Sequence, residues 1–282
     1  MGVVVAYTRY VKLVTMFNNI PLGWIVTSIL LRYLVFAGIA YGIFYYWQRS
    51  KWYHRKIQKR FPQRAEVRRE FLYSLIAVVI FAVVVHLVYT DPVKKYTRVY
   101  TNIHEHSLAY LFISVVSCIF MHDTYFYWSH RFMHWKKIFR YVHHIHHKSH
   151  NPTPWAAFAF HPVEALVEAG IVPLVAFTIP IHPLAFSLFG LYMIIMNVLG
   201  HLGYELFPAD MLKNKWLKWH NTSTHHNMHH HYSKCNYGLY FNIWDRLMKT
   251  NHRRYEETFE KAASGQPHRQ HLADNPIIYK TE

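Results

Sequence analysis

The chain has 282 residues, 52% of them hydrophobic and 18% aromatic, with a formal net charge of +16. Mean hydropathy is near zero, yet very apolar segments alternate with very basic ones, the pattern of a membrane protein with basic loops rather than a soluble domain. Two isolated cysteines, Cys118 and Cys235, make no disulfide framework and no C-x-x-C metal site, and the basic residues concentrate in one loop between apolar runs, which argues against nucleic acid as a partner.

Residues 1–20 are partly apolar but interrupted by Arg9 and Lys12. They lack the layout of a signal peptide and read as an amphipathic helix lying on a membrane. Pro21 opens an apolar run that continues to Trp47, long enough to cross a bilayer, with Arg32 inside it as a cost. A dense run of Lys and Arg follows from Arg49 to Arg69, which the positive-inside rule assigns to the cytoplasmic side. Phe71–Tyr89 is a second span, ended by Asp91-Pro92. The next loop is poorer in cations and suits the outer face. Ser107 to about Phe126 is a third span, running back inward and delivering Asp123, His130 and His134 to the cytoplasmic face.

Residues 135–162 are polar, basic and histidine-rich. Val163–Pro180 and Leu184–Leu199 are two further apolar runs, split by Pro-Ile-His-Pro at 180–183. Each is a little short for a full crossing, so a hairpin is expected. Either way, an even number of crossings returns Gly200 onward to the side of His130. The polar stretch 261–282 reads as poorly ordered.

The histidines carry the chemistry. His130 and His134 lie four apart; His143, His146 and His147 follow, and His226, His229 and His230 repeat the H-x-x-H-H spacing. Residues three and four apart share a helix face, so each group is expected to aim its imidazoles at one point. Neutral imidazole binds iron, copper, nickel and zinc. Eight such residues exceed the needs of one metal and suggest two. The H-E-x-x-H motif of hydrolytic zinc sites is missing, and no Glu has a His three residues later, unlike soluble di-iron carboxylate bundles. A nearly all-histidine site at a membrane surface remains. Two irons there would activate oxygen toward an unactivated C–H bond. A membrane metal carrier or sensor is the competing reading; it predicts histidines or acids along the spans, and these are mostly apolar.

Three segments resemble the fatty acid hydroxylase and sterol desaturase superfamily of integral-membrane di-iron oxygenases. The first runs from Asp123 through His130 and His134. The second is His143 to His147, followed by Pro152-Thr-Pro-Trp and Phe160-His161-Pro162-Val-Glu164. The third is Gly200-His201-Leu-Gly-Tyr204, then His226 to His230, Asn236-Tyr-Gly238 and Trp244-Asp245. The Pro-Thr-Pro-Trp and Phe-His-Pro run looks most like the sterol C-5 desaturase branch.

The resemblance implies an all-α membrane bundle of about four transmembrane helices, with a cytoplasmic helical cap holding a di-metal site. It implies a catalytic region at 107–250, membrane helices and a basic loop at 1–106, and a polar tail at 251–282. His130, His134, His143, His146, His147, His226, His229 and His230 are its expected iron ligands, with His201 a ninth and His161 near the site. Asp123, seven residues before His130, is expected to orient a ligand imidazole. Glu205 stands where some relatives have histidine, which implies a different shell for one metal. A lipid substrate is implied, with electrons from NAD(P)H through a separate cytochrome b5-like or ferredoxin-like carrier, toward which a basic surface would steer an acidic partner.

Overall fold

The computed structural model describes residues 20–265. The surface helix expected at the N-terminus, and the polar stretch beyond residue 265, lie outside them. In chain order, apart from a single α-helical turn at Arg49–Trp52, the helices are α1 (Leu22–Tyr41, continued by π-helical turns over Gly42–Trp47), α2 (Arg64–Tyr89), α3 (Leu108–Met133), α4 (Lys136–Val142) and α5 (His144–His147). Then come α6 (Pro162–Ala169), α7 (Ile171–Thr178), α8 (Pro183–Gly200), α9 (Ser223–Tyr232), α10 (Ile243–Leu247) and α11 (Tyr255–Ser264). The described residues form an all-helical bundle and cap, joined by turns and isolated bridges.

Four helices are long and apolar enough to cross a membrane: Leu22–Trp47, Arg64–Tyr89, Leu108–Met133 and Pro183–Gly200. Their starts are capped locally. Gln63 N donates to Glu66 Oε2 at 2.6 Å ahead of α2, and Ser107 Oγ accepts from Tyr110 N at 3.2 Å ahead of α3. Leu31, Val35 and Ile39 on α1 and Ile76, Val79, Val83 and Leu87 on α2 are exposed along the outside of the bundle. Such a belt of large apolar side chains faces lipid in a spanning helix. The inner faces carry small residues, Ala37, Ala77 and Ala82, which let backbones approach, as contacts between spanning helices require. Arg32, a cost on paper, is met inside the bundle: its guanidinium donates to Ser187 O at 3.0 Å and to Ser187 Oγ at 2.6 Å.

The run after His161 differs from a simple hairpin arm. It forms two eight-residue helices broken at Gly170, and α7 buries Ile171, Val172, Val175 and Ala176 inside the bundle. At one end Glu164 meets a histidine of the cap. At the other, Arg98 N donates to Ala176 O at 2.7 Å and Tyr100 N to Ile181 O at 3.2 Å, in the loop following α2. The segment therefore runs the full depth of the bundle behind the outer helices.

Both His130 and His201 lie at ends of bundle helices on the same side, and α4, α5 and α9–α11 close over them. The third span reaches further than expected, to Met133, with His134 as its C-cap. The C-terminal stretch is less tail-like than its composition suggests: Tyr255, Phe259 and Ala263 of α11 pack on Met211, Leu212 and Met228. Around the cap base, Trp128, Phe132, Trp135 and Tyr141 are exposed, with Lys137 Nζ 5.4 Å from the Trp135 ring. Aromatic rings beside cations are typical of a membrane–water boundary.

Candidate metal centre

Nine histidines converge in two groups: His130, His134, His143, His147 and His229 in one, and His146, His201, His226 and His230 in the other, with the ligand atoms of each group within 4.8 Å of one another. The two H-x-x-H-H motifs do not each serve one point, as spacing alone suggests. Each is divided. His143 and His147 go to the five-histidine group while His146 goes to the four. His226 and His230 go to the four while His229 goes to the five. In both motifs the i, i+4 pair stays together and the intervening histidine crosses to the other group, so the motifs knit the two groups into one centre.

The rings present their Nε2 atoms inward. In the five-histidine group His130 and His143 lie 3.0 Å apart, His134 and His229 3.1 Å, and His147 and His229 3.0 Å, all Nε2 to Nε2. In the four-histidine group His201 lies 3.0 Å from His226, 3.3 Å from His230 and 3.4 Å from His146. Six of the nine outward Nδ1 atoms have a partner. His130 donates to Tyr237 O at 2.9 Å, His229 to Cys235 O at 2.6 Å, His201 to Asn197 O at 2.8 Å and His146 to Ala159 O at 3.4 Å. His143 Nδ1 is 2.6 Å from Glu164 Oε1, and His147 Nδ1 is 3.0 Å from Ser233 Oγ.

This arrangement fits metal ions. A carbonyl cannot donate, so the Nδ1 facing it carries the ring proton and Nε2 is left with a bare lone pair. Lone pairs at these separations repel unless a cation lies between them. Imidazole nitrogens bound at about 2.1 Å and at right or tetrahedral angles stand about 3.0–3.4 Å apart, which is the observed range. Burial, reinforced by neighbouring imidazoles, drives His134, His143, His146, His147, His226, His229 and His230 well below the ordinary histidine pKa. His201 is pushed down to about 4 by burial. All of these are neutral at pH 7, as metal ligation requires.

Local structure holds the rings in place. Thr222 Oγ1 accepts from His225 N at the start of α9, and Ser233, in the left-handed region at φ 59°, ends it one residue after Tyr232. The loop that supplies the Tyr237 carbonyl is pinned by Asp245, whose carboxylate accepts from Tyr237 N at 2.9 Å, Gly238 N at 2.7 Å and Thr250 Oγ1 at 2.7 Å. A Cβ on Gly238 would fall 2.4 Å from Phe241 O, so only glycine fits there.

Three expected site residues lie elsewhere. His161 belongs to neither group; its Nδ1 accepts from Val163 N at 3.3 Å and caps α6. Asp123 orients no imidazole: its Oδ1 accepts from Tyr240 N at 2.8 Å and Phe241 N at 3.1 Å, tying α3 to the loop beside the centre. Glu205 is no substitute ligand. Its Oε2 accepts from Thr224 N at 3.0 Å and Thr224 Oγ1 at 2.7 Å, satisfying orphan donors at the start of α9. Conversely, Glu164 emerges as the carboxylate that orients a ring, and His122, buried in α3 with Nδ1 2.8 Å from Tyr240 Oη, was not singled out. A signal existed for Glu164: acids at 164 and 168, four apart in an apolar run, share a face and are costly there.

A cavity of about 600 Å³ inside the bundle ends one layer of side chains short of this centre. Its wall includes Phe126, Phe160 and Asn197, which adjoin His130, His146 and His201 respectively. It extends to Pro183 and to Ile20, Pro21 and Trp24 at the other end. Asn197 and Pro183 are fourteen residues apart on α8, about 21 Å at helical rise. A smaller cavity of about 130 Å³ borders His201 and His226 from the cap side.

The fold and the paired histidine groups define a membrane-type helical bundle with two adjacent histidine groups, each able to hold a metal ion. Residues 115–250 match the fatty acid hydroxylase family. The chain is 31% identical over 217 residues to the Delta(7)-sterol 5(6)-desaturase ERG3B of Gibberella zeae, covering 75% of this chain and 63% of that protein. It is 27% identical over 246 residues to the Delta(7)-sterol 5(6)-desaturase erg3C of Aspergillus fumigatus (81% and 73%), and 27% identical over 184 residues to human lathosterol oxidase (64% and 60%). The match thus spans about three-fifths to three-quarters of the length of these curated relatives. No solved structure matches the chain. Residues 115–250 thus carry the fatty acid hydroxylase family pattern, and the relatives matched across and beyond them are sterol desaturases and a lathosterol oxidase.

Proposed function

We propose that the protein is an O2-dependent lipid oxidoreductase, desaturating or hydroxylating a sterol-type or fatty acyl lipid, with two iron ions held by the nine histidines. One observation carries this reading: a long apolar cavity inside the bundle ends at Phe126, Phe160 and Asn197, which back onto His130, His146 and His201 of the two histidine groups. Iron bound there supplies the reduction of oxygen and the abstraction of hydrogen from an unactivated carbon, which side chains alone cannot perform. The chain's own residues do the rest. Tyr237, Cys235 and Asn197 carbonyls and Glu164 fix the tautomer and aim of the rings. The cavity strips water from the lipid and lays it along the bundle toward the centre.

Residues 107–250 carry the chemistry in this reading, while α1 and α2 from the 1–106 region wall the cavity and residues 251–265 brace α9. The basic stretch from Arg49 to Arg69 supports a cytoplasmic position for the cap under the positive-inside rule. There a cytochrome b5-like or ferredoxin-like carrier would deliver electrons from NAD(P)H, steered by charge. A metal carrier or sensor would have no use for an apolar cavity of this size ending against the residues that back onto the site.

Lipid mass spectrometry of cells with and without the gene tests the reading. A lipid shifted by about −2 or about +16 Da, the two outcomes of one hydrogen abstraction, and lost when His146 becomes Ala, is the expected result. Identical lipid profiles in the presence of iron-loaded protein would overturn it.

A further inference from the structure

Most of the large cavity is apolar, but three polar side chains interrupt its wall near the metal end. They come from three different helices: His122 from α3, Glu168 from α6 and Asn197 from α8. All are more than nine-tenths buried, at 3%, 7% and 7% exposure. The Glu168 carboxyl and the Asn197 side-chain amide have no hydrogen-bond partner among the described residues. His122 spends Nδ1 on Tyr240 Oη and has none for Nε2. Buried polar groups normally find partners, and each one left unmatched is destabilising. Three of them facing one space indicate that something polar completes them.

Their depth is fixed by the helices. Asn197 lies one turn before His201, and its own carbonyl holds that ring. Glu168 lies one turn beyond Glu164, which holds His143. His122 lies two turns before His130. Where α3 and α6 touch, Tyr125 Oη donates to Val167 O at 2.6 Å, next to Glu168 in sequence and one turn from His122. The three side chains therefore form a polar collar, staggered over about one helical turn of depth, between the centre and the apolar length of the cavity.

We propose that this collar is a hydroxyl-binding site, and that a hydroxyl held by Glu168, Asn197 and His122 selects which neighbouring carbon of the lipid faces the metals. A hydroxyl both donates and accepts, which matches a carboxyl, an amide and an imidazole edge together. An ammonium headgroup is disfavoured because Arg32, a fixed cation, lines the same cavity. A plain acyl chain would run methylenes past all three groups and leave each unmatched. The substrate class is thus a lipid whose hydroxyl lies a few bonds from the reacting carbon, with its apolar remainder extending toward Trp24. This inference rests on the lipid oxidoreductase reading.

The test uses iron-loaded full-length protein in lipid nanodiscs, a Δ7-sterol with a free hydroxyl, and the methyl ether of the same sterol. Affinity for both is measured with wild type, Glu168→Leu, Asn197→Ala and Glu168→Gln, with iron content as the check on folding. Wild type should prefer the free hydroxyl by at least about tenfold, the order of one lost hydrogen-bonding set in a built site. Glu168→Leu and Asn197→Ala should shrink that preference to about twofold or less at unchanged iron content, and Glu168→Gln, which still donates and accepts, should restore most of it. Equal binding of sterol and ether by wild type, or an undiminished preference in both Glu168→Leu and Asn197→Ala, overturns the collar while leaving the oxidoreductase reading intact. Wild type that keeps the preference yet oxidises no lipid when supplied with reductant and oxygen overturns the oxidoreductase reading instead, and leaves the collar standing.

Discussion

The two histidine groups are built to different standards. In the five-histidine group, His130, His143, His147 and His229 each have an outer partner for Nδ1. In the four-histidine group only His146 and His201 do, and His230 Nδ1 is buried without one. The better-braced group has a ligand to spare; the other has none, borders the smaller cavity through His201 and His226, and is separated from the larger one by Asn197 and Phe160. Outer partners lock ring orientation and raise ligand basicity, so the difference implies a tightly held metal beside a more easily lost one.

The largest expected effects separate the groups directly. His201→Ala or His146→Ala leaves three ligands at a site with no reserve. Iron should fall from about two to about one per chain, with activity reduced by at least about a thousandfold, since the metals carry the hard step. His134→Ala, in contrast, removes the one ligand of the five-histidine group that is only half-buried and leaves four. It should retain most of its iron. Elemental analysis of the purified variants reads both outcomes; equal iron loss in the two would erase the distinction.

Next in size is Glu164→Ala, which frees the His143 ring and strands its Nδ1 proton in a buried site. Losing such an outer carboxylate costs about 10- to 100-fold in metal affinity, read by competition with a chelator. Asp123→Ala should behave differently. Its carboxylate serves backbone donors of Tyr240 and Phe241, so the loss is about 1–3 kcal/mol of stability for unmatched buried groups. Thermal unfolding should shift while metal affinity in the folded protein stays within a few-fold of wild type.

Acid should act on both groups. The cap imidazoles have folded pKa values below the ordinary value near 6.5, so between the two the unfolded chain binds more protons. Apo-protein stability should be flat above about pH 7 and fall as pH drops through about 6.5 toward 4. Thermal melts of metal-free protein across that range test the sign; a stability that rises on acidification would contradict neutral buried rings.

Much of this was readable from residue spacing. The spans, the common side for both histidine stretches and eight of the nine convergent histidines follow from hydropathy, loop charge and histidine spacing, and His201 from the family resemblance. The division of each repeat between the two histidine groups did not follow. Residues at i, i+3 and i+4 lie within about 100° of arc, so one helix can serve one target or straddle two, and only the packing of α5 against α9 decides. Asp123 and Glu205 were misread because their partners are main-chain donors of Tyr240 and Thr224, and sequence carries no mark of which carboxylate a distant backbone will need. His122 sat unnoticed as a lone histidine in an apolar run, where a core role is the usual one. Its significance depends on a cavity formed with α6 and α8.

The smallest expected effect is at Ser233, which closes α9 and offers Oγ to His147 Nδ1 at 3.0 Å. Its left-handed backbone, φ 59°, suits glycine better than serine. Ser233→Gly therefore relaxes the turn while deleting the hydroxyl, and Ser233→Ala deletes the hydroxyl while keeping the strain. If the outer hydrogen bond is what matters, both variants should lose metal affinity by the same modest factor, under about tenfold, at the low end of outer-partner effects. The five-histidine group, with three other braced rings, should absorb the change without losing its metal. A loss in Ser233→Gly as large as that in Glu164→Ala would mean that no member of the group is redundant, and the contrast between the two sites would then rest on ligand number alone.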